Sequence, residues 1–267
     1  MSDDMARNTA AWEQTVRSTI ALARDLAPAE HDLPTDCPGW TVKDVLAHIV
    51  SVERMLLGEP LPDHPLPEGL AHVRNDFGRL MEIGVDVRRS VPGEKVVAEL
   101  DEVFHLRLDT LPTIDPAAPT PAPTGEMVPY GMFMAFRAMD CYVHEQDIRR
   151  ATGRPGNLDA PAAPCARALL LRGLPYVVGK KAAALPGQSV TLEVTGPAAF
   201  TVHIEVGPDG RARVTDPLPA PTTTLTMDWE TYLVLSAGRR TPDTVTTAIT
   251  GDPDLATRLL TAMAVTP

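Results

Sequence analysis

The sequence predicts an α plus α+β protein, a bundle of helices over residues 1–157 followed by a smaller α+β domain over residues 158–267. Three observations predict it. Through the first part, apolar residues recur at spacings of three and four between proline-rich breaks, which is the period of an amphipathic helix. Near Pro161 the character changes to short runs rich in Val, Thr and Ile that alternate apolar with polar side chains, the period of a half-buried strand. The chain also has enough material for both parts, with 267 residues of which 44% are hydrophobic and 22% charged, near the globular norm.

The elements follow in order. Trp12, Val16, Ile20 and Ala23 give one apolar face to a first helix that ends before Pro28. His31 to Trp40 is a loop, punctuated by Pro34 and the Pro38-Gly39 pair. Thr41, three residues before Asp44, has capping-box spacing and starts a second helix; its stripe of Val42, Val45, Leu46, Ile49, Val52 and Leu56 stops at Gly58 and Pro60. Leu66 to Arg89 and Glu94 to Leu111 read as helical with a weaker pattern, separated by Val91-Pro92-Gly93. Pro112 to Pro129 carries six prolines and almost no bulky apolar residue, so it reads as a loop or a long crossover. Met132 to Ala151 is strongly helical and is ended by Gly153 and Pro155. In the second part Leu169 to Val178 reads as a helix. Ser189 to Val194, Phe200 to Val206, Arg211 to Thr215 and Thr222 to Met227 read as strands, and Asp228 to Ala237 and Pro253 to Ala264 as two closing helices.

Charge and composition exclude some classes of function. With 24 basic and 35 acidic residues the net charge is −11, a sign that repels phosphate backbones, and no Lys/Arg-rich run offsets it, so no nucleic-acid partner is expected. No apolar stretch approaches the roughly 20 residues that span a bilayer. Met1 to Ala10 is polar and acidic rather than a signal peptide, so no membrane partner and a cytoplasmic location are expected. Cys37, Cys141 and Cys165 are odd in number and lack a CxxC pair, which predicts reduced thiols rather than a disulfide framework.

Three polar side chains break the apolar pattern of faces that should point inward. His48 projects from the stripe of the second helix, and Asp140 and His144, four residues apart, share the stripe of Phe133, Phe136, Val143 and Ala151. A carboxylate and an imidazole one turn apart, facing an imidazole from another helix, form an N/N/O set that leaves positions open on a divalent metal such as zinc. The same spacing also suits a hydrogen-bonded core histidine and a simple helical Asp–His pair. Glu53, Glu145 and Asp147 are nearby acids, the last two placed before Arg149 and Arg150 as in a solvated, ion-paired helix end. Cys141 points about 100° away from Asp140 and reads as packing. Cys37 stands in the loop before the second helix, and Trp40 reads as a packing anchor for that loop. His31, His64, His72, His105 and His203 have no partner at ligand spacing and read as surface or loop residues.

The residues from Asp36-Cys37-Pro38-Gly39-Trp40-Thr41 to Ala47-His48-Ile49 resemble a signature of the mycothiol-dependent maleylpyruvate isomerase family, a DinB-like group of actinobacterial proteins. Asp140-Cys141-Tyr142-Val143-His144 through Gly153 resembles the family's second signature. Ser236-Ala237-Gly238-Arg239, Thr250-Gly251-Asp252-Pro253-Asp254-Leu255-Ala256 and the final Thr266-Pro267 resemble its small sterol-carrier-like C-terminal domain. The resemblance implies a DinB-like four-helix bundle holding a metal, usually zinc, with His48 and His144 at two ligand positions and Asp140 where the named isomerase has glutamate. It implies mycothiol, or a similar low-molecular-weight thiol, as cofactor: the thiolate adds to a cis double bond, the single bond rotates, and elimination gives the trans acid. A small-molecule substrate and a monomer or dimer are expected. For an anionic substrate, Arg239, ahead of Arg240, is the candidate positive group, a position that equally suits an arginine at a helix C-terminus. Alternatives to the isomerase are a thiol S-transferase of the same group and a non-enzymatic small-molecule-binding protein that has lost its metal through the shorter Asp140.

Overall fold

The apolar face read at the amino end is buried as expected, with Trp12 and Val16 at 0% and Ile20 at 3% exposure on helix α1 (Asp3–Arg24). The structure, a computed structural model, describes residues 3–266, which form two compact units, 3–166 and 167–266.

In the first unit, Thr41 caps α2 (Val42–Leu56) through the expected reciprocal pair: its hydroxyl accepts from Asp44 N at 3.2 Å while its own N–H donates to the Asp44 carboxylate at 3.0 Å. Helix α3 (Asp76–Asp86) is capped by Asn75, and α4 (Gly93–Thr110) begins directly after Pro92. A short antiparallel hairpin, β1 (Pro119–Pro121) with β2 (Met127–Pro129), leads into α5 (Tyr130–Ala151). Helix α1 packs along α5, α2 packs on α3 and α4, and α2 meets α5. The rings of Trp12 and Phe104 meet at 5.4 Å in this core, among Leu46, Ile49, Leu100, Met134 and Tyr142, each at most 1% exposed. Full burial of such side chains contributes roughly 1.5–3 kcal/mol each. Helix α5 is the central member, with 15 of its 22 residues buried, so polar side chains on it must find partners inside the protein.

Two expectations are corrected here. The helical reading from Leu66 to Arg89 shortens to α3, because Pro67 lacks an amide hydrogen, Gly69 takes φ +76°, and the chain runs irregularly to Asn75. Pro112 to Pro129 is not all loop, since the hairpin turns at Gly125 with φ +85°, a conformation glycine adopts without a Cβ penalty.

The boundary between the units falls within α6 (Ala163–Tyr176), which a π turn over Val177–Lys181 continues. The second unit is a five-stranded sheet in the order β5-β4-β3-β6-β7, comprising β3 (Ser189–Thr195), β4 (Phe200–Val206), β5 (Ala212–Thr215), β6 (Thr223–Asp228) and β7 (Ala248–Gly251). Central β3 runs parallel to β6, and the other pairings are antiparallel. Helices α7 (Trp229–Ser236) and α8 (Pro253–Thr261) contribute Trp229, Tyr232, Leu233, Leu255 and Leu259, each at most 2% exposed. Strand β7 lies outside the expected set, because its residues are exposed throughout and carry no alternation. The architecture is α plus α+β, a helical bundle followed by a small mixed-sheet domain.

Candidate metal centre

Helix α2 turns His48 inward to 6% exposure, and α5 brings His144 (5%) and Asp140 to meet it. One ligand atom from each of the three lies within 4.8 Å of the others. His48 Nε2 is 3.3 Å from Asp140 Oδ2, and His144 Nε2 is 3.6 Å from Asp140 Oδ1. In a tetrahedral site with bonds of about 2.05 Å, ligand atoms stand roughly 3.3 Å apart. The donor set and its spacing therefore fit a divalent cation. The Asp140 side chain, at 31% exposure, is the open side of the trio.

His144 is held from behind by hydrogen bonds, whereas His48 Nδ1 is buried without a hydrogen-bond partner. His144 Nδ1 lies 3.1 Å from Asp147 Oδ2, and Asp147 accepts in turn from Arg150 Nη2 at 2.6 Å, while Arg150 Nε reaches Asp36 in the loop at 2.8 Å. A carboxylate on the far nitrogen of a ligating histidine fixes its tautomer and orientation. The Trp40 ring lies 5.0 Å from His48 and 5.8 Å from His144, and its Nε1 donates to Glu82 Oε2 at 2.9 Å. Glu82, 1% exposed, also meets His72 at 3.0 Å and Arg89 at 2.7 Å. Trp40 is thus a wall of the centre as well as the loop anchor expected of it.

Beneath the trio lies a buried ionic network. Glu53, 0% exposed, accepts from Arg107 Nε at 2.8 Å, from Arg137 Nη2 at 2.8 Å and from Trp12 Nε1 at 3.0 Å. Arg137 Nη1 donates to Asp140 Oδ2 at 2.7 Å, and Arg107 Nη2 to the Tyr130 hydroxyl at 2.7 Å. Two guanidiniums thus face two carboxylates. Burial alone would raise the Glu53 carboxyl, but Arg137 and Arg107 outweigh it and hold Glu53 below its usual range. Burial opposes the charged form of Asp140 too, and the His48 and Arg137 groups beside it keep that carboxyl well below the usual range. For His48 burial wins over the attraction of Asp140 and lowers the imidazole, so its neutral, ligand-competent form is favoured.

The other sequence candidates fall as follows. Cys141 is fully buried, and its desolvation pushes the thiol far up, so it packs as expected. Cys37 is buried with Sγ within 4.8 Å of ligand atoms of both His144 and Asp147. Glu145 and Asp147 are ion-paired with Arg149 and Arg150, but both side chains are 0% exposed, so the solvated helix end is corrected to a buried one. His31 is also corrected from surface to core, at 4% exposure. Arg239 belongs to the second unit, just beyond α7, where its Nη1 donates to the Ala237 carbonyl at 3.0 Å.

Arg137 was not singled out by the sequence reading, although a signal existed. It sits among Phe133, Met134, Phe136 and Ala138 on a buried helix, and Glu53 interrupts the apolar face of α2 four residues after Ile49. Opposite charges at core positions of two helices announce a buried pair.

Two solved structures share the fold across nearly the whole chain. One is the mycothiol-dependent maleylpyruvate isomerase, 14% identical with a TM-score of 0.52, and the other is a histidine-to-alanine mutant of such an enzyme, 13% identical with a TM-score of 0.53. In both, 91% of this chain aligns with 92% of the other. No curated protein matches at comparable significance. The family described as the mycothiol maleylpyruvate isomerase N-terminal domain matches residues 12–149, a span that contains His48, Asp140, His144 and the network beneath them. The chain therefore belongs to the mycothiol maleylpyruvate isomerase N-terminal domain family.

Proposed function

We propose that the protein is a metal-dependent, thiol-dependent isomerase acting on a small unsaturated acid, with zinc as its metal and mycothiol or a similar thiol as its cofactor. The observation that carries this reading is the convergence of His48 Nε2, His144 Nε2 and the Asp140 carboxylate inside the segment matched by the family. A cation at this centre supplies Lewis acidity, which lowers the pKa of a thiol or polarises a carbonyl oxygen.

The chain's own residues prepare the centre for that role. His48 offers a neutral imidazole because burial disfavours its protonation, and Asp147 orients the ring of His144. Trp40 keeps water from the face of both imidazoles. Burial raises the thiols of Cys141 and Cys165, so neither supplies a thiolate near neutral pH. Arg239 is the proposed group for an anionic substrate. A cytoplasmic location belongs to the same reading, because reduced thiols are maintained there.

Elemental analysis of protein purified without chelator, beside His48→Ala and His144→Ala, tests the centre. The expected result is about one ion per chain that both substitutions abolish, as a site made by His48, Asp140 and His144 requires. Assays on cis-unsaturated acids with and without added thiol then test the reaction. Isomerisation returns the thiol, whereas an S-transferase consumes it, and full activity without thiol would overturn the reading. One observation favours a second reading: the Arg137–Asp140 ion pair already neutralises the carboxylate, as in a metal-free binding protein. Failure to take up zinc, together with a co-purifying small molecule, would decide for it.

A further inference from the structure

Arg137 lies one turn before Asp140 on α5, is 5% exposed, and its guanidinium is committed at both ends. Nε and Nη2 donate to Glu53 Oε1 at 3.1 and 2.8 Å, and Nη1 donates to Asp140 Oδ2 at 2.7 Å. Glu53 cannot follow a moving arginine, because Arg107 and Trp12 hold it as well. A planar fork fixed from behind therefore fixes the carboxylate in front of it. Of the two Asp140 oxygens, Oδ2 accepts from the guanidinium and faces His48 Nε2 at 3.3 Å, while Oδ1 faces His144 Nε2 at 3.6 Å.

The resemblance expects glutamate at this position, and aspartate is shorter by about 1.5 Å of reach. We propose that Arg137 is a positioning residue: anchored by Glu53, it holds Asp140 through Oδ2 so that the carboxylate stays between the two histidine nitrogens, Oδ2 facing His48 and Oδ1 facing His144. This rests on the metal-binding reading above and adds to it the side chain that fixes the carboxylate. It also makes the fork, rather than the charge, the feature that matters. Lysine carries the same charge, but its one nitrogen cannot reproduce the planar arrangement that engages Glu53 and Asp140 together.

The test is titration of cobalt(II) into the full-length, metal-free protein, reading the dissociation constant, the visible spectrum and the thermal midpoint before cobalt is added. Arg137→Lys should weaken binding about tenfold, the loss usual for a partner of a metal ligand, and should alter the visible bands as the Asp140 carboxylate turns away from its fixed orientation. In the Asp140→Glu background the same substitution should cost no more than about threefold, a coupling of the size that neighbouring residues show. Equal affinity and an unchanged spectrum in Arg137→Lys would overturn the proposal and leave the metal reading standing. A lowered thermal midpoint with an unchanged cobalt spectrum would also overturn it, because the arginine would then serve the fold alone. No cobalt uptake by the parent protein, or uptake that survives His48→Ala, would overturn both.

Discussion

His144 and Asp147 form the inner support of the centre: Nδ1 lies 3.1 Å from Asp147 Oδ2, while Nε2 of the same ring faces Asp140. Asp147 is paired with Arg150 and its carboxylate accepts, so Nδ1 donates to it and Nε2 is the ring nitrogen turned toward the trio. Replacing Asp147→Asn removes the charge that fixes this tautomer. Zinc affinity, measured by competition with a coloured chelator, should fall by about 10- to 100-fold. An unchanged constant would take Asp147 out of the centre.

Glu53 is the keystone of the ionic network, and its loss should be felt in stability before function. Glu53→Gln leaves Arg107 and Arg137 buried without their shared carboxylate. Breaking a buried pair on one side costs about 3–5 kcal/mol, so the urea midpoint should drop sharply even without metal. A change under about 1 kcal/mol would mean that water or rearranged side chains reach the arginines.

Acid should weaken the first unit partly through His31. Burial is the main cause that lowers this imidazole, against the attraction of Glu94 and Asp32. Its ring packs on Gly93, where a Cβ would collide with it, and no hydrogen-bond partner meets Nδ1. The unfolded chain takes up a proton near pH 6.5 that the folded chain resists, so stability is intact above that pH and is lost as pH falls toward the folded value. Urea unfolding at pH 7.5 and 5.5 should show the decline, and His31→Phe should make it shallower. An identical pH slope in the variant would exclude His31 as a contributor.

Trp40 provides an optical report on the centre. Its ring stands 5.0 and 5.8 Å from the two imidazoles, so cobalt(II) binding should quench tryptophan emission. In Trp40→Phe most of that quenching should disappear although Trp12 and Trp229 remain. Equal quenching in the variant would place the bound ion elsewhere.

Where the sequence was legible, one dominant rule governed the residues. The stripes of α1 and α2, the Thr41 cap and the alternation in β3 and β4 each follow from periodicity or from a single local hydrogen-bond pattern. The trio was readable because three polar groups sat on faces that had to turn inward. What local pattern does not explain depends on long-range partners. Glu53 and Arg137 are 84 residues apart, and neither is explicable until the other is present. Trp40 acquires its place from Glu82 on α3, 42 residues further along the chain. Edge strand β7, exposed along its length, is specified by its ladder with β6 rather than by its own side chains.

The hairpin that precedes α5 has a further consequence. Of the residues in β1 and β2, Pro119, Pro121 and Pro129 have no amide hydrogen, so the ribbon presents few free donors along its rims. An exposed ribbon ordinarily invites a neighbouring chain to add a strand, and association of this kind seeds aggregation. Here the proline content caps the ribbon at two strands, which makes it a self-terminating piece of sheet at the entrance to the helix that carries Asp140 and His144.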